Sequence, residues 1–131
     1  MAYSESRIFP DAEAIVMALL EGITGTPCVT VTPDNLDDVV PVIQVNRTGG
    51  NDDGITDFPR ITVAVFDNRR QPAWDLAETC RQALLGSVRT KVDGTLIDNV
   101  RTDTDPQQVP DSNPNIRKVT ATYRLAMRRK F

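Results

Sequence analysis

The chain contains no histidine, the residue on which much general-base catalysis and many metal sites depend. Without histidine, Ser-His-Asp and Cys-His catalysis within one chain is excluded. The sequence has two cysteines, Cys28 and Cys80, which stand far apart and lack Cys-x-x-Cys spacing. Two isolated cysteines are typical of reduced thiols rather than of a disulfide. Cys80 falls on the apolar stripe of a helical pattern, so we interpret it as a packed core residue and not as a nucleophile.

Other groups that would indicate a binding site are also missing. Aromatic residues make up 5% of the chain, so its basic residues lack the stacking platform typical of single-stranded nucleic-acid binding. No apolar run approaches the ~20 residues that a membrane span requires. Residues 51–54 have no glutamate to close a calcium loop, and residues 48–50 lack the lysine of a phosphate loop. We therefore expect no catalytic residue, no metal, no cofactor and no membrane contact.

What the chain does contain fits one domain over residues 1–131, with 40% apolar residues, 25% charged residues and a net charge of −3. Apolar residues at helical spacing predict one helix from Pro10 to about Gly25 and a second from Pro72 to Gly86. Apolar runs and alternation predict strands at 28–32, 39–47, 59–67, 95–102 and 116–129. This mixture of helices and strands indicates an α+β domain.

The strand at 59–67 is apolar on both of its faces, which favours a central strand that is covered on both sides. We expect the helices of this chain to cover one side and a partner to cover the other. Residues 48–58 and 103–115 lack apolar periodicity and are rich in glycine, proline and aspartate. We interpret both segments as loops that are mobile or form interfaces.

Charge is unevenly distributed along the sequence. Residues 34–57 contain six aspartates and one arginine, residues 93–111 contain five aspartates and one arginine, and residues 116–131 contain six basic residues and no acid. One interpretation is a solvated strand face beside acidic loops. The other is a self-assembling subunit with complementary edges, whose head-to-tail contacts close a ring. On the second interpretation, the candidate interface residues are Asp52, Asp53, Asp57, Arg117, Lys118, Arg124, Arg128, Arg129 and Lys130.

Three segments of the sequence resemble a known protein family. Residues 57–86, DFPRITVAVFDNRRQPAWDLAETCRQALLG, look like the strand–helix core of tail terminator proteins from long-tailed bacteriophages, the siphophages. The end of the chain, NIRKVTATYRLAMRRKF, is similar to the closing strand of that family, and FPDAEAIVMALLEGI resembles its first helix. Together the three segments cover about half of the chain, in the order that the family shows.

The resemblance implies a mixed, mainly antiparallel sheet of four to five strands with two helices packed on one face. It also implies a structural virion protein of the neck, which forms a hexameric ring, caps the tail tube, ends tail elongation and joins the tail to the head. The implied partners are other copies of the chain, the tail tube protein and the head-side connector or head-closure protein. DNA would pass through the lumen without sequence recognition, and assembly would take place in the host cytoplasm. The family supplies no site residues to transfer.

Two alternatives stay open on the sequence. One is another neck or tail protein of a phage, such as a head–tail connector, an adaptor or a tube subunit. The other is a small nucleic-acid-binding regulatory domain that uses the basic segment at 116–131. An enzyme has the least support, because the sequence shows no group in a pattern suited to catalysis.

Overall fold

The computed structural model describes residues 8–129 of the chain. Its helices and strands are, in chain order, α1 (Ala12–Thr24), β1 (Cys28–Val29), α2 (Leu36–Val39), β2 (Val42–Asp52), β3 (Thr56–Asp67), α3 (Arg70–Leu85), β4 (Lys91–Val92), β5 (Thr95–Leu96), β6 (Asn99–Val109) and β7 (Arg117–Arg128). Within this range, five strands form one sheet in the order β1-β2-β3-β7-β6, and β4 pairs with β5 in a small hairpin. β1 runs parallel to β2, and the other neighbours in the large sheet are antiparallel. The expected α+β fold with a mixed, mainly antiparallel sheet is confirmed.

The two long helices begin and end close to the residues that the sequence signals indicate. The Asp11 side chain accepts a hydrogen bond of 3.2 Å from the Ala14 N–H and caps α1. Gly25 ends α1 with a φ of 69°, a left-handed conformation that glycine adopts without strain. Pro72 lies in the first turn of α3, where its missing N–H leaves no helical hydrogen bond unmade. None of the helices in residues 8–129 is long and apolar enough to cross a membrane.

The main core lies between α1 and α3 and one face of the sheet, which we call the helix face. β3 lies between β2 and β7, so the prediction of a central strand at 59–67 is confirmed. Its residues Ile61, Val63 and Val65 are buried in this core. Besides Ile61, the largest fully buried side chains of the core are Leu20, Ile43, Leu84, Ile97, Tyr123, Leu125 and Met127.

The opposite face of the sheet, the outer face, is covered at one end by the chain itself. Ala64 and Phe66 of β3 form a second buried cluster there with Leu36 of α2, Val42 of β2 and Ile116. The expectation that a partner covers the apolar outer side of β3 is therefore wrong at this end. The physical reason is that α2 and the residue before β7 already bury this apolar surface within one subunit.

Residues 48–58, which we expected to be a loop, form most of a β-hairpin. β2 continues to Asp52 and β3 begins at Thr56, so residues 53–55 make the turn. The register of the pair shifts after Arg47 and resumes where Gly50, with a φ of 112°, lies opposite Pro59. The loop prediction was wrong because both faces of β2 are exposed from Arg47 onward. A strand without a buried face shows no apolar alternation.

Residues 103–115 are also less loop-like than expected, because β6 continues to Val109 and leaves only 110–116 as a loop. β6 lies at one edge of the sheet, and its register with β7 shifts on both sides of Thr104. Edge strands tolerate a proline such as Pro106, because the backbone N–H groups on the outward side of the strand have no neighbouring strand to bond, so a missing N–H there breaks no hydrogen bond of the sheet. The strand predicted at 95–102 is divided between β5 and β6.

Both cysteines are free thiols, and their burial decides their chemistry. Burial raises the pKa of Cys28 and that of Cys80 to about 12. Because the thiolate is the reactive form, we expect Ellman's reagent at pH 8 to modify the folded protein on the order of 100-fold more slowly than the urea-unfolded chain. Equal labelling rates for folded and unfolded protein would contradict this prediction.

Candidate assembly surfaces

Two of the predicted interface aspartates build the turn between β2 and β3. The Asp52 Oδ1 accepts a hydrogen bond of 2.9 Å from the Gly54 N–H. The Asp53 Oδ1 accepts from the N–H groups of Ile55 at 2.9 Å and Thr56 at 2.7 Å. These backbone donors hold the pKa of Asp53 below its ordinary value, because they stabilise the carboxylate. The turn is thereby fixed, and it presents Ile55, which is 57% exposed, at its tip.

The basic end of the chain meets this acidic turn within the same subunit. The Arg129 N–H donates to the Ile55 carbonyl at 2.8 Å, and its Nη1 donates to the Gly54 carbonyl at 3.1 Å. The Arg129 guanidinium also lies 5.3 Å from the centre of the Phe9 ring. Arg128 forms an ion pair with Asp98 at 3.2 Å between Nε and Oδ2. The pairing of β7 with β3 thus brings Arg129 to the turn, and the chain before β6 brings Asp98 to Arg128.

Asp57 is a buried structural carboxylate rather than an exposed surface charge. It is 2% exposed, and both of its oxygens accept hydrogen bonds from Arg47, at 2.7 Å and 2.9 Å. This pairing raises the pKa of Arg47 above its ordinary value. The Arg47 Nε also donates to the Gly49 carbonyl at 3.2 Å, so the pair holds the irregular part of the hairpin together.

The basic residues at the start of β7 contact their own subunit. The Arg117 Nη1 donates to the Pro114 carbonyl at 3.3 Å, and the Lys118 Nζ lies 5.5 Å from the centre of the Phe66 ring. Both side chains remain partly exposed. Lys130 lies outside the described residues, so its place in the candidate interface stays a prediction.

The outer face carries three arginines on adjacent strands, which we call the arginine row: Arg60 on β3, Arg124 on β7 and Arg101 on β6. Arg124 lies directly opposite Arg60 on one side and directly opposite Arg101 on the other. Like charges in opposite positions destabilise a sheet unless acids compensate them. Arg60 has such an acid, because its Nε lies 3.1 Å from the Asp103 Oδ2.

Arg101 and Arg124 have no such compensation. Among the described residues, neither forms an ion pair or a side-chain hydrogen bond, and the Arg124 Nε is buried without a partner. The two side chains line a cleft of about 350 Å³ together with Asn51, Phe58, Asn99, Leu125 and Ala126. Only Arg124 of the row was among the predicted interface residues. Arg60 and Arg101 were missed because each is an isolated basic residue in the sequence, and only the register of the sheet shows that they are neighbours.

Comparison with known proteins decides the family. A family model described as phage tail termination protein matches residues 8–131. The chain belongs to this family. The resemblance noted in the sequence is therefore confirmed, and this tail termination protein is a structural component of the virion tail. No curated protein matches its sequence.

The fold of the tail termination protein also occurs in a solved phage-like particle. It is similar to a chain in a structure titled as the virion of a native gene transfer agent particle. The TM-score is 0.64 at 12% sequence identity, over 89% of this chain and 94% of that chain. At this identity the likeness shows a shared fold.

The sheet of the tail termination protein ends in two different edges. On one side, the two residues of β1 pair only with Ile43 and Gln44, so most of β2 has no strand neighbour there within the described chain. On the other side, β6 is the edge strand, and along its whole length its outward side has no strand neighbour within the described chain. Charged residues, Pro106 and the two register shifts make β6 a poor template for non-specific strand pairing. The two edges differ in length and charge, which suits contacts between unlike sides of neighbouring copies.

Proposed function

We propose that copies of this chain form a homohexameric ring in the virion neck. The ring caps the tail tube, ends tail elongation and joins the tail to the head-side connector. The observation that carries this proposal is the family match to residues 8–131, which spans every helix and strand described. The number of six follows the resemblance of the sequence to ring-forming terminators.

The geometry of the subunit supports a head-to-tail ring. A closed ring of identical copies needs two different surfaces on each copy, which meet between neighbours. The unequal sheet edges at β1–β2 and at β6 provide two such surfaces. The hairpin tip is the proposed contact with the tail tube, because it presents the exposed Ile55 on a turn that hydrogen bonds hold in place.

The proposed ring acts as a scaffold and not as an enzyme. It meets its partners, the tube protein and the head-closure protein, through surfaces rather than through a reaction. DNA passes through the lumen without being read, and the ring assembles in the host cytoplasm. The net charge of −3 is in keeping with a lumen that does not hold DNA by attraction.

Native mass spectrometry of the purified protein, alone and after addition of isolated tail tubes, tests the ring. We expect a hexamer in solution or, if the free subunit is monomeric, a ring on the end of each tube. Negative-stain images with labelled antibody then show the level of the virion that the protein occupies, which we expect to be the head-proximal end of the tail.

Four results would count against the proposal. A monomer that also fails to form rings on tubes contradicts the assembly, and a closed ring of another size contradicts the number of six. Label along the whole tail would instead identify a tube subunit, and label at the portal would identify a head–tail connector. Omission of the protein during tail assembly should yield tails of uncontrolled length that do not join heads.

A further inference from the structure

We propose that the arginine row of one copy binds the acidic segment at residues 34–38 of the next copy in the ring. The inference rests on the proposed ring and adds the chemistry of its subunit contact. The binding site is the cleft beside Arg101 and Arg124, where two adjacent guanidinium groups lack any acid. The ligand that satisfies them is a pair of carboxylates carried by a second copy of this chain.

The first step is the excess of positive charge at the cleft. Arg60, Arg124 and Arg101 lie on three adjacent strands, which at ~4.8 Å per strand span about 10 Å. Asp103 compensates Arg60 alone. Leaving the Arg124 Nε both buried and unbonded costs free energy in the isolated subunit. A carboxylate that enters the cleft would remove this cost and the repulsion between the neighbouring guanidinium groups.

The second step is to ask which acids of the chain are free to supply that carboxylate. Among the described residues, all but three acidic side chains bond to a basic side chain, a side-chain amide or a backbone N–H. The three are Asp34, Asp38 and Asp93, and each is exposed. Asp34 precedes α2 and Asp38 lies within it, and the neighbouring Asp37 accepts a hydrogen bond of 2.8 Å from the Asn113 Nδ2. Residues 34–38 are therefore a firmly attached segment with two uncompensated carboxylates.

The third step is that these charges do not meet within one subunit. Leu36 packs beside Phe66 at one end of the outer face, whereas the arginine row crosses β3 at Arg60. Six residues along a strand correspond to roughly 20 Å, which is far beyond hydrogen-bond reach. Complementary surfaces at separate places on identical copies pair between copies, and repetition of one such contact generates a ring when the rotation closes.

Protein carboxylates fit the cleft better than DNA phosphates do. The cleft is concave and is lined in part by Phe58, Leu125 and Ala126, so it accepts a side chain rather than a smooth polyanion. The arginines therefore suit a local contact with a protein.

A charge swap tests the contact. We expect Arg101→Glu to raise the concentration needed for ring formation, alone or on tubes, by about tenfold or more. The double variant Asp34→Lys with Asp38→Lys should have a similar effect. Arg101→Glu combined in one chain with Asp34→Lys, or with Asp38→Lys, should restore part of the lost assembly, because one pair of charges is then reversed while Arg124 still faces the remaining aspartate.

The controls separate this contact from folding and from overall charge. Arg69→Glu changes the net charge equally at an exposed position at the N-terminus of α3, and we expect it to leave assembly unchanged. Circular dichroism melting should show that every variant is folded. If the Arg101→Glu variant is poorly folded, Arg124→Gln is a second test of the contact, because it removes the charge and keeps a polar side chain. We expect this variant also to assemble less well.

The outcomes distinguish the contact from the ring itself. If the original protein forms rings and the Arg101→Glu variant does so equally well, the contact is wrong while the ring stands. The contact is also overturned if the charge swap fails to restore assembly. It is overturned as well if the original protein shows salt-dependent binding to duplex DNA and the Arg101→Glu substitution abolishes that binding. If the original protein forms no ring on tubes, the proposed function fails first and the contact fails with it.

Discussion

Arg47→Met is expected to lower the free energy of unfolding by about 3 kcal/mol. Removal of this guanidinium leaves Asp57, whose side chain is 3% exposed, as a buried carboxylate without its counter-charge. The Arg47 side chain is itself 38% exposed, so some water can approach, and the expected loss lies at the lower end for broken buried pairs. Urea denaturation followed by circular dichroism measures the change.

Arg128→Met is the matched control for this prediction. Arg128 also forms an ion pair with an aspartate, but its side chain is 67% exposed and that of Asp98 is 23% exposed. We expect this variant to lose less than about 1 kcal/mol. A second test is Arg47→Met combined with Asp57→Asn, which should recover part of the stability because the uncompensated charge is removed. Equal losses for Arg47→Met and Arg128→Met would contradict the buried role of Asp57.

Gly50→Ala is expected to destabilise the protein by about 2–4 kcal/mol. A Cβ atom at this position would clash with the Phe58 carbonyl oxygen and would lie 2.9 Å from both the Arg60 nitrogen and the Pro59 Cα. All three atoms belong to the backbone of β3, so they cannot move aside without opening the hairpin. The φ of 112° adds strain for any residue other than glycine.

Gly49→Ala separates the effect of backbone strain from that of a steric clash. Gly49 has a φ of 134°, but a Cβ there meets no atom within 4 Å. We therefore expect a loss of about 1 kcal/mol for Gly49→Ala and a clearly larger loss for Gly50→Ala. Hydrogen exchange should show the additional opening in residues 46–60. If the two alanine variants unfold at the same urea concentration, the close approach of the two strands at Gly50 is contradicted.

The helices and strands that were predicted well from the sequence are those that have at least one apolar face. α1, α3, β3 and β7 each bury large apolar side chains, so their periodicity is visible without a structure. The far half of β2 could not be found in this way, because it is exposed on both faces and begins after a shift in register at Arg47. β6 was shortened in the prediction because edge strands carry prolines and aspartates that otherwise mark loops.

The candidate surfaces were predicted less well than the fold, for a different physical reason. Counting charges along the sequence identified the basic end, but not which acids it would meet. Within the subunit Arg128 pairs with Asp98 and Asp57 pairs with Arg47, so part of the charge segregation is neutralised there. The arginine row depends on the register of β7 with β3 and with β6, and no local sequence signal specifies that register.

The pairing of β3 with β7 also bears on when the subunit becomes able to assemble. During synthesis, residues 56–67 leave the ribosome about sixty residues before the strand that pairs with them. Until that strand emerges, the central strand lacks one of its two neighbours, and Arg60 and Arg101 have no Arg124 between them. Long-range pairing of this kind forms late in folding. A chain still being translated would therefore offer its neighbours no finished contact surface, so assembly of the proposed ring would be restricted to completed subunits.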